Sequence, residues 1–567
     1  MKIDLVRPAL LCLILTITVN VVPATVPLEV VPVSARHGMV VAGHPQAAQA
    51  GVETLQAGGN AIDAAIAVSL ALGVAEPYGS GLGGKLMLLY YEAASRRTYV
   101  LEAMDAAGSF DVTTYARRPE DDRSYGYGSV CVPGLPAGLW LAQQKWGRRA
   151  WAENVAPAIK LAREGFLILP KTRDFFAEQE KKLRRGDAEI RRLYLPGDQL
   201  PVVGTRLANT DLAHTLEIFA AQGRDGFYRG TVAQAIVTAA QNGGGVMTLQ
   251  DLTNYEPRLS EPIGIDFHGY HLLSAPPPSN GAPLFLAIMK AMESEPLAGA
   301  PLRSASTLDL VGMYWKVILP LVQRDIGDAP GAAESFAKLV SPESLRNIRE
   351  QVHATSKVAP RAAWLDDSGS SESAMAATTH FLVADADGNI VCATQSQSLH
   401  FGAGVVPPGT GVVLNDSMSN LSFSEKHSPN YAAPGKRPRS TISPTLVFQA
   451  GKPVLAIGLP GAARIPTAML QVLLDRLALD RPLAEAIGDT RIHFHHDIRH
   501  PEEDAVEVEQ SFPLEDAAEL RRRGWKVNLA EPAGTGRVFG GINAIELNHG
   551  GYTGYPDPRR TNQAVGY

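Results

Sequence analysis

Residues 374–391 read AMAATTHFLVADADGNIV and give the clearest folding signal in the chain. They overlap the end of DDSGSSESAMAA (366–377), a Ser-rich stretch with few side chains that could be buried in a core. The apolar runs HFLVA and IVCAT flank DADGN, and an Asp-Gly step is typical of a tight turn between antiparallel strands. The stretch therefore predicts a β-hairpin that begins directly after a loosely structured segment.

The register of this hairpin brings hydroxyl groups together. A turn centred on Asp387 and Gly388 pairs residues whose numbers sum to about 774–776, and the Cβ atoms of directly opposed residues lie about 5 Å apart. Thr378 then lies opposite Ser396 and close to Ser398. The hairpin therefore predicts a second hydroxyl beside the first threonine of the strand.

Thr378 would become a catalytic group if the peptide bond before it were cut. The α-amine of an N-terminal residue titrates near about 7.7–8.0. Such an amine can act as general base for the hydroxyl of the same threonine, so that no His or Asp partner is required. A threonine at the start of a strand is otherwise typical of an ordinary β-branched strand residue. The pattern alone does not overturn that second interpretation.

The composition is that of a globular protein rich in turns. The chain has 567 residues, 45% of them apolar and 19% charged, with 53 Gly and 40 Pro. This length suffices for one large core or for two domains. The net charge of −6 gives no general attraction to nucleic acid, which we do not expect as a partner.

The N-terminus has the features of an export signal. Two basic residues precede the apolar run PALLCLILTITVNVV, and small residues follow it, which predicts a secretory signal over residues 1–24. The run is too short to favour a stable membrane span, so we expect a periplasmic or secreted protein. The mature chain would keep Cys131 and Cys392. Two separately buried thiols are favoured, although a disulfide stays open.

Two helices and a glycine-rich turn are predicted near the N-terminus. PQAAQAGVETL (45–55) suits an amphipathic helix with Pro at its first position, and AIDAAIAVSLALGV (61–74) is apolar nearly all round, as in a buried helix. Gly79-x4-Gly84-Lys85 resembles a phosphate-binding loop, but Leu86 stands where Ser or Thr should be. The glycines also follow a helix and precede a strand, which favours a turn where backbone closely approaches a site or a helix.

No metal or other cofactor is predicted. HFHH (493–496), with His500 nearby, alternates between the two faces of a strand and has no Cys close to it. DADGN (385–389) resembles the start of a calcium loop but lacks the remaining ligand positions.

The chain resembles the γ-glutamyltransferase (γ-glutamyltranspeptidase) family of N-terminal-nucleophile hydrolases. The stretches that carry the resemblance run in family order through nearly the whole mature chain: GMVVAGHPQAAQAGVETLQAGGNAIDAAIAVSLALGVAEP (38–77), VPGLPAGL (132–139), DGFYRG (225–230), PPPSNGA (276–282), TTHFLVADADGNIV (378–391), GTGVVLND (409–416), KRPRSTISPT (436–445), DPRR (557–560) and the terminal GY.

The resemblance implies an α+β fold, a four-layer αββα sandwich formed by two chains from one self-cleaved precursor. Cleavage would fall between Ala377 and Thr378. A large subunit (25–377) and a small subunit (378–567) would stay associated as a heterodimer. The substrate would be a small-molecule amide.

Matching the family pattern position by position assigns the catalytic machinery. Thr378 matches the nucleophile, and Ser396 matches the hydroxyl residue that supports it. Ser440 and Thr441 match the pair that binds the substrate's α-carboxylate. Gly461 and Ala462 match the pair whose backbone N–H groups form the oxyanion hole. Alanine tolerates positive φ less well than the family's glycine, so the hole is expected to be shifted.

The family's substrate clamp is not retained. Met104 stands where the family has an Arg that binds the α-carboxylate, and Met can form no charge-assisted contact. Three further substrate-binding positions have also changed: Asn420 replaces an Asp, Ser417 replaces a Gln or Glu, and Ser398 replaces an Asn. The alternative is that Arg96 or Arg97 takes over the role of the missing Arg.

These matches predict an exported, self-processing amide hydrolase or acyl transferase. The family favours γ-glutamyl-like amides, including glutathione. The altered clamp favours an acyl group without a free α-amine, such as a glutaryl monoamide, because Asn420 removes a charge that would bind an ammonium. A non-catalytic relative retained for binding is the alternative from a different functional class.

Overall fold

The computed structural model describes residues 28–297, 302–354, 376–496, 504–530, 539–548 and 550–567. The predicted signal (1–24), the Ser-rich segment up to residue 375, and His500 lie outside these ranges.

The described ranges contain strands and α-helices throughout. The strands are β1 (Val33–Ala35), β2 (Met39–Ala42), β3 (Lys85–Glu92), β4 (Arg97–Ala103), β5 (Phe166–Leu167), β6 (Arg206–Leu207), β7 (Arg258–Ser260), β8 (Ile263–Phe267), β9 (Tyr270–Ser274), β10 (Ala376–Ala384), β11 (Ile390–Leu399), β12 (Thr445–Gln449), β13 (Lys452–Gly458), β14 (Ile492–His496), β15 (Asp504–Val508), β16 (Lys526–Leu529), β17 (Asn543–Asn548), β18 (Gly551–Pro556) and β19 (Gln563–Gly566).

The helices are α1 (Pro45–Gln56), α2 (Ala61–Ala75), α3 (Val112–Ala116), α4 (Glu120–Ser124), α5 (Leu135–Trp146), α6 (Trp151–Glu164), α7 (Pro170–Glu178), α8 (Glu180–Arg185), α9 (Ala188–Tyr194), α10 (Thr210–Gln222), α11 (Asp225–Tyr228), α12 (Gly230–Asn242), α13 (Leu249–Asn254), α14 (Gly281–Met292), α15 (Ala305–Asp325), α16 (Ala332–Leu339), α17 (Pro342–Ala354), α18 (Arg464–Leu477), α19 (Leu483–Gly488) and α20 (Leu514–Arg522).

Two seven-stranded sheets stack face to face between helices, which confirms the predicted αββα architecture. Their orders are β19-β2-β10-β11-β3-β4-β7 and β1-β18-β17-β13-β12-β9-β8. Cys392 on β11 joins the sheets, since its Sγ lies 3.5 Å from the backbone oxygens of Thr445 and Ile457. Helices α1, α2, α5, α6 and α10 cover the first sheet, and α14, α15 and α18 contribute to the core on the second.

The N-terminal helices confirm the sequence predictions. Helix α1 begins at Pro45, and α2 is buried at all positions except Gly73. Asn60 caps α2 reciprocally with Asp63, which satisfies the free N–H groups of its first turn. Cys131 and Cys392 are both buried and free, as expected of two separate thiols. Among the described helices, α15 alone is long and apolar enough to span a membrane, and it packs against α14 and α17.

The predicted hairpin is present as β10 and β11. Pairing runs from Thr379 opposite Gln395 to Ala384 opposite Ile390, with a register shift between Ala377 and Thr379. In the turn, the Asp385 carboxylate accepts from the backbone N–H groups of residues 387 and 389, at 3.0 Å each. A β-bulge bends its strand and leaves one residue unpaired. The extra residue is on β11, where Ser396 and Gln397 together lie opposite Thr378.

Candidate active site

The sandwich brings the predicted site residues to one end. In the first sheet, β10 and β3 begin at this end while β11 and β4 finish there. In the second sheet, the start of β12 pairs with the end of β13. The two ends coincide because the His380 ring lies directly beside Gly458, the last residue of β13.

Thr378 lies against the carbonyl of the peptide bond that precedes it. Its Oγ1 donates to the Ala377 oxygen at 2.5 Å and lies 3.1 Å from Ser396 Oγ. Ser396 Oγ also donates to the Ala377 oxygen and accepts from the backbone N–H of Ser398 at 3.0 Å. Two hydroxyls therefore converge on the carbonyl oxygen of the Ala377–Thr378 peptide bond, whose cleavage would free the Thr378 amine.

Two buried residues of opposite charge, Arg560 and Glu76, contact the consecutive threonines Thr378 and Thr379. Arg560 Nη1 donates to the Thr378 carbonyl oxygen at 3.0 Å. Glu76 accepts from the Tyr78 hydroxyl at 3.0 Å and is hydrogen-bonded to Thr379. Burial raises the pKa of Glu76, while the Thr379 hydrogen bond and the Arg560 charge oppose that rise. Glu76 and Arg560 both lie in stretches that carry the family resemblance (38–77 and 557–560), but no sequence signal assigns either residue a role.

A second cluster surrounds Lys85, which begins β3 and pairs with Ser396 across the sheet. The Lys85 ammonium donates to Ser398 Oγ at 2.5 Å and to Ser417 Oγ at 2.9 Å. Asp105 Oδ2 accepts from the Ser417 hydroxyl at 2.5 Å and lies 3.6 Å from the ammonium. Asn420 Nδ2 donates to Ser398 Oγ at 3.1 Å. Three predicted substrate-binding positions, Ser398, Ser417 and Asn420, therefore meet around one lysine.

Burial governs the electrostatics of this cluster. Lys85 is 1% exposed, and Asp105 is completely buried. Burial raises the pKa of Asp105 to about 6, while the Lys85 charge and the Ser417 hydrogen bond oppose the rise. In the sequence, Lys85 is only the last residue of an imperfect phosphate-loop pattern. Its position beside the second cluster depends on the pairing of β3 with β11, which no local pattern reveals.

Neither Met104 nor the two arginines considered as replacements for the missing Arg brings a charged side chain to the site. Met104 is fully buried in the apolar core, and its carbonyl accepts from the Tyr255 hydroxyl at 2.6 Å. Arg97 begins β4 at the end remote from Ala103 and lies 3.5 Å from Glu261. Arg96 precedes it, so neither arginine reaches the site. That alternative was wrong because the strand carries both residues away from it.

The second sheet contributes the loop between β13 and α18. Thr441 Oγ1 donates to the Ala462 carbonyl oxygen at 2.8 Å, which joins the Ser440–Thr441 segment to this loop. Gly461 has φ of 153°, and Ala462 has φ of 52°. A left-handed conformation costs alanine more than glycine. Ala462 thus has a backbone conformation that alanine tolerates less well than glycine.

Within the described ranges, no three His, Cys, Asp or Glu side chains are arranged to hold a metal ion. His493 is buried, with its Nδ1 2.9 Å from Thr467 Oγ1. A metal at HFHH thus has no support from the part of that motif that the structure describes.

Comparison with known proteins gives consistent matches over nearly the whole chain. A family model described as gamma-glutamyltranspeptidase matches residues 47–567. A glutathione hydrolase proenzyme from Pseudomonas sp. (strain A14) is 31% identical, covering 94% of this chain and 95% of that protein. An acylase ACY 1 proenzyme from Pseudomonas sp. (strain SE83) is 33% identical, covering 92% and 91%. The crystal structure of cephalosporin acylase from Bacillus halodurans superposes with a TM-score of 0.84 at 27% identity, covering 98% of this chain and 99% of that one.

Proposed function

Because this chain belongs to the gamma-glutamyltranspeptidase family, we propose that it is a precursor that cuts its own Ala377–Thr378 bond. The product is an N-terminal-threonine amide hydrolase or acyl transferase. The observation that carries this proposal is the position of the Thr378 hydroxyl against the Ala377 carbonyl, with Ser396 donating to the same oxygen.

Cleavage proceeds as an acyl shift followed by hydrolysis. The Thr378 oxygen attacks the Ala377 carbonyl carbon, the C–N bond breaks, and the nitrogen takes up the proton that the hydroxyl loses. Ser396 stabilises the negative charge that develops on the carbonyl oxygen. Water then hydrolyses the ester, leaving a carboxylate on Ala377 and a free amine and hydroxyl on Thr378.

The same threonine then acts on substrates. Its amine takes the hydroxyl proton as the oxygen attacks an amide carbonyl, the C–N bond of the substrate breaks, and the protonated amine gives this proton to the departing nitrogen. Water or an acceptor amine then attacks the acyl-enzyme, and its proton returns to the Thr378 oxygen as the acyl group is released. Backbone N–H groups at Gly461 and Ala462 are proposed to hold the oxyanion. The curated relatives include both glutathione hydrolases and acylases, so the family supports amide chemistry with more than one kind of acyl group.

The two products are proposed to remain one heterodimer, exported to the periplasm or the exterior. Both sheets contain strands of the large subunit (25–377) and of the small subunit (378–567). For example, β10 hydrogen-bonds to β2, and β12 to β9. Separating the chains would break backbone ladders inside the core, which supports continued association.

N-terminal sequencing of the purified protein tests this proposal. We expect two chains on a denaturing gel, one of which begins Thr-Thr-His-Phe, and a single uncut, inactive chain for Thr378→Ala. Thr379→Ala is the matched control, because its side chain faces Glu76, and it should still yield a cut after Ala377. A wild-type protein that stays uncut would instead favour the non-catalytic binding relative.

A further inference from the structure

Lys85 lies in line with the nucleophile on the face of the sheet that looks towards the second sheet. Ser396 on β11 separates Thr378 on β10 from Lys85 on β3. Met87 and Leu89, two and four residues after Lys85, join the core between the sheets, whereas Leu86 and Leu88 join the core under the helices. Side chains alternate along a strand, so Lys85 points into the space between the sheets.

The spacing of the strands that carry Lys85 and the nucleophile is compatible with a short acyl chain. Neighbouring strands are about 4.8 Å apart, so two intervals separate the backbones of Thr378 and Lys85 by about 10 Å. A chain of five carbons with a carboxylate at one end and the reacting carbonyl at the other spans roughly 5 Å, at about 1.5 Å per bond in zigzag. The rest of the backbone separation of about 10 Å is left for the contact between the acyl carbonyl and Thr378 and for the contact between the carboxylate and Lys85.

The polar groups around Lys85 match a carboxylate. An ammonium has three donors, and within the described residues two of them bind Ser398 and Ser417. Asp105 at 3.6 Å is an ion-pair partner beyond hydrogen-bond length. One N–H of Lys85 is therefore left for a ligand. Asn420 adds an amide donor to the same cluster.

An ammonium ligand has fewer partners in this cluster. Asp105 Oδ2 already accepts from Ser417 and pairs with Lys85, and the nearby carboxylate of Asp416 pairs with Lys182 at 3.9 Å. Asn420 offers no negative charge. A zwitterionic acyl end would therefore leave its ammonium poorly compensated in a buried site, which costs free energy.

We propose that Lys85 determines the acyl specificity of this site: its ammonium, with the side-chain amide of Asn420, binds the terminal carboxylate of the substrate's acyl group, while Ser398 and Ser417 hold the ammonium in place. The enzyme accordingly takes monoamides of short dicarboxylic acids such as glutaric acid. This inference rests on the proposed role of Thr378 and adds the identity of the acyl group.

The test compares three p-nitroanilides on the processed enzyme: glutaryl, γ-glutamyl and butyryl. We expect wild-type kcat/KM for the glutaryl compound to exceed the values for the other two at least tenfold. Lys85→Met should lower the glutaryl-to-butyryl ratio about 100-fold, and Lys85→Arg, which keeps the charge, should recover most of it. Lys145→Met, on the exposed end of α5, is the matched control and should leave the ratio unchanged.

The outcomes separate the two proposals. A processed Lys85→Met enzyme with the wild-type ratio, or a wild-type enzyme that prefers the γ-glutamyl compound, overturns the role of Lys85 while leaving the role of Thr378 intact. A wild-type protein that is not cleaved and hydrolyses none of the three p-nitroanilides overturns the proposed function itself. If Lys85→Met fails to fold, inhibition of wild-type butyryl hydrolysis decides: glutarate should inhibit at least tenfold more strongly than glutaramide, and equal inhibition contradicts the proposal.

Discussion

Two pairs of hydroxyl groups lie next to each other at this end of the sandwich and differ in their neighbours. Thr378 Oγ1 and Ser396 Oγ are 3.1 Å apart and face the Ala377 carbonyl. Ser398 Oγ and Ser417 Oγ are 2.7 Å apart and face the Lys85 ammonium. The same functional group thus serves proposed bond cleavage in one pair and positions the proposed anion-binding lysine in the other, because the adjacent group differs.

Ser396→Ala should separate the two pairs with the largest effect. It removes a donor to the Ala377 oxygen, and loss of one such donor commonly costs about 100-fold to 1,000-fold in rate. We expect the half-time of precursor cleavage, followed on gels after cell-free synthesis, to lengthen at least 100-fold.

Ser398→Ala is the matched control for that experiment. The same substitution two residues further along β11 removes a contact of Lys85 but no donor to the carbonyl. Its cleavage half-time should stay within a few-fold of wild type. Equal slowing in both variants would show that the two pairs act as one group.

Asp105 should make substrate binding at the second pair sensitive to pH, and this effect is measured in KM, because protonation of the Thr378 amine over the same range lowers kcat. Burial raises the pKa of Asp105 to about 6, so its carboxylate gains a proton as the pH falls from about 7.5 to 5. The Lys85 charge is then less compensated, and KM for glutaryl-p-nitroanilide should fall several-fold. A glutaryl carboxylate, with a pKa of about 4.3 like that of Glu, stays largely ionised in this range.

Other groups near Asp105 can be separated from it by substitution. Burial keeps the pKa values of Cys131, Tyr228 and Tyr255 well above neutrality, so these groups stay uncharged. Asp416 also has a pKa raised by burial, and its carboxylate lies 3.9 Å from the Lys182 ammonium. Asp105→Asn should therefore give a low KM that does not change with pH, whereas a slope like that of the wild type would assign the effect to Asp416.

Much of the first pair could be predicted from the sequence because it depends on local signals. The Asp-Gly turn sets the register of one hairpin, and that register alone brings Ser396 to Thr378. The helices at 45–56 and 61–75 followed in the same way from periodicity and caps. The resemblance supplied the sandwich and the matched positions.

The second pair depends on pairing between distant segments. Lys85 and Ser417 are more than 300 positions apart in the chain and meet only because β3 lies beside β11. Glu76 and Arg560 are also far apart in the chain, although Glu76 is hydrogen-bonded to Thr379 and Arg560 donates to the Thr378 carbonyl oxygen. Matching the family pattern located an absent Arg, but it could not locate a lysine that comes from a different strand.

Ala462→Gly should have the smallest effect, and it tests whether the facing loop serves the first pair alone. At φ of 52°, replacing alanine with glycine relieves a left-handed strain of about 1–2 kcal/mol, while glycine's greater freedom in the unfolded chain offsets about 0.4–1 kcal/mol. We expect a net stabilisation of about 0.5–1 kcal/mol, measured by denaturant unfolding of uncut proteins that carry Thr378→Ala. The hydrogen bond from Thr441 to the backbone oxygen of residue 462 can form with alanine or glycine at that position.

In the processed enzyme, Ala462→Gly in a loop that holds the oxyanion should change kcat for glutaryl and butyryl substrates by the same factor. A change in their ratio would instead connect this loop to the acyl-binding cluster, because only Lys85 and its partners are expected to distinguish the two acyl groups.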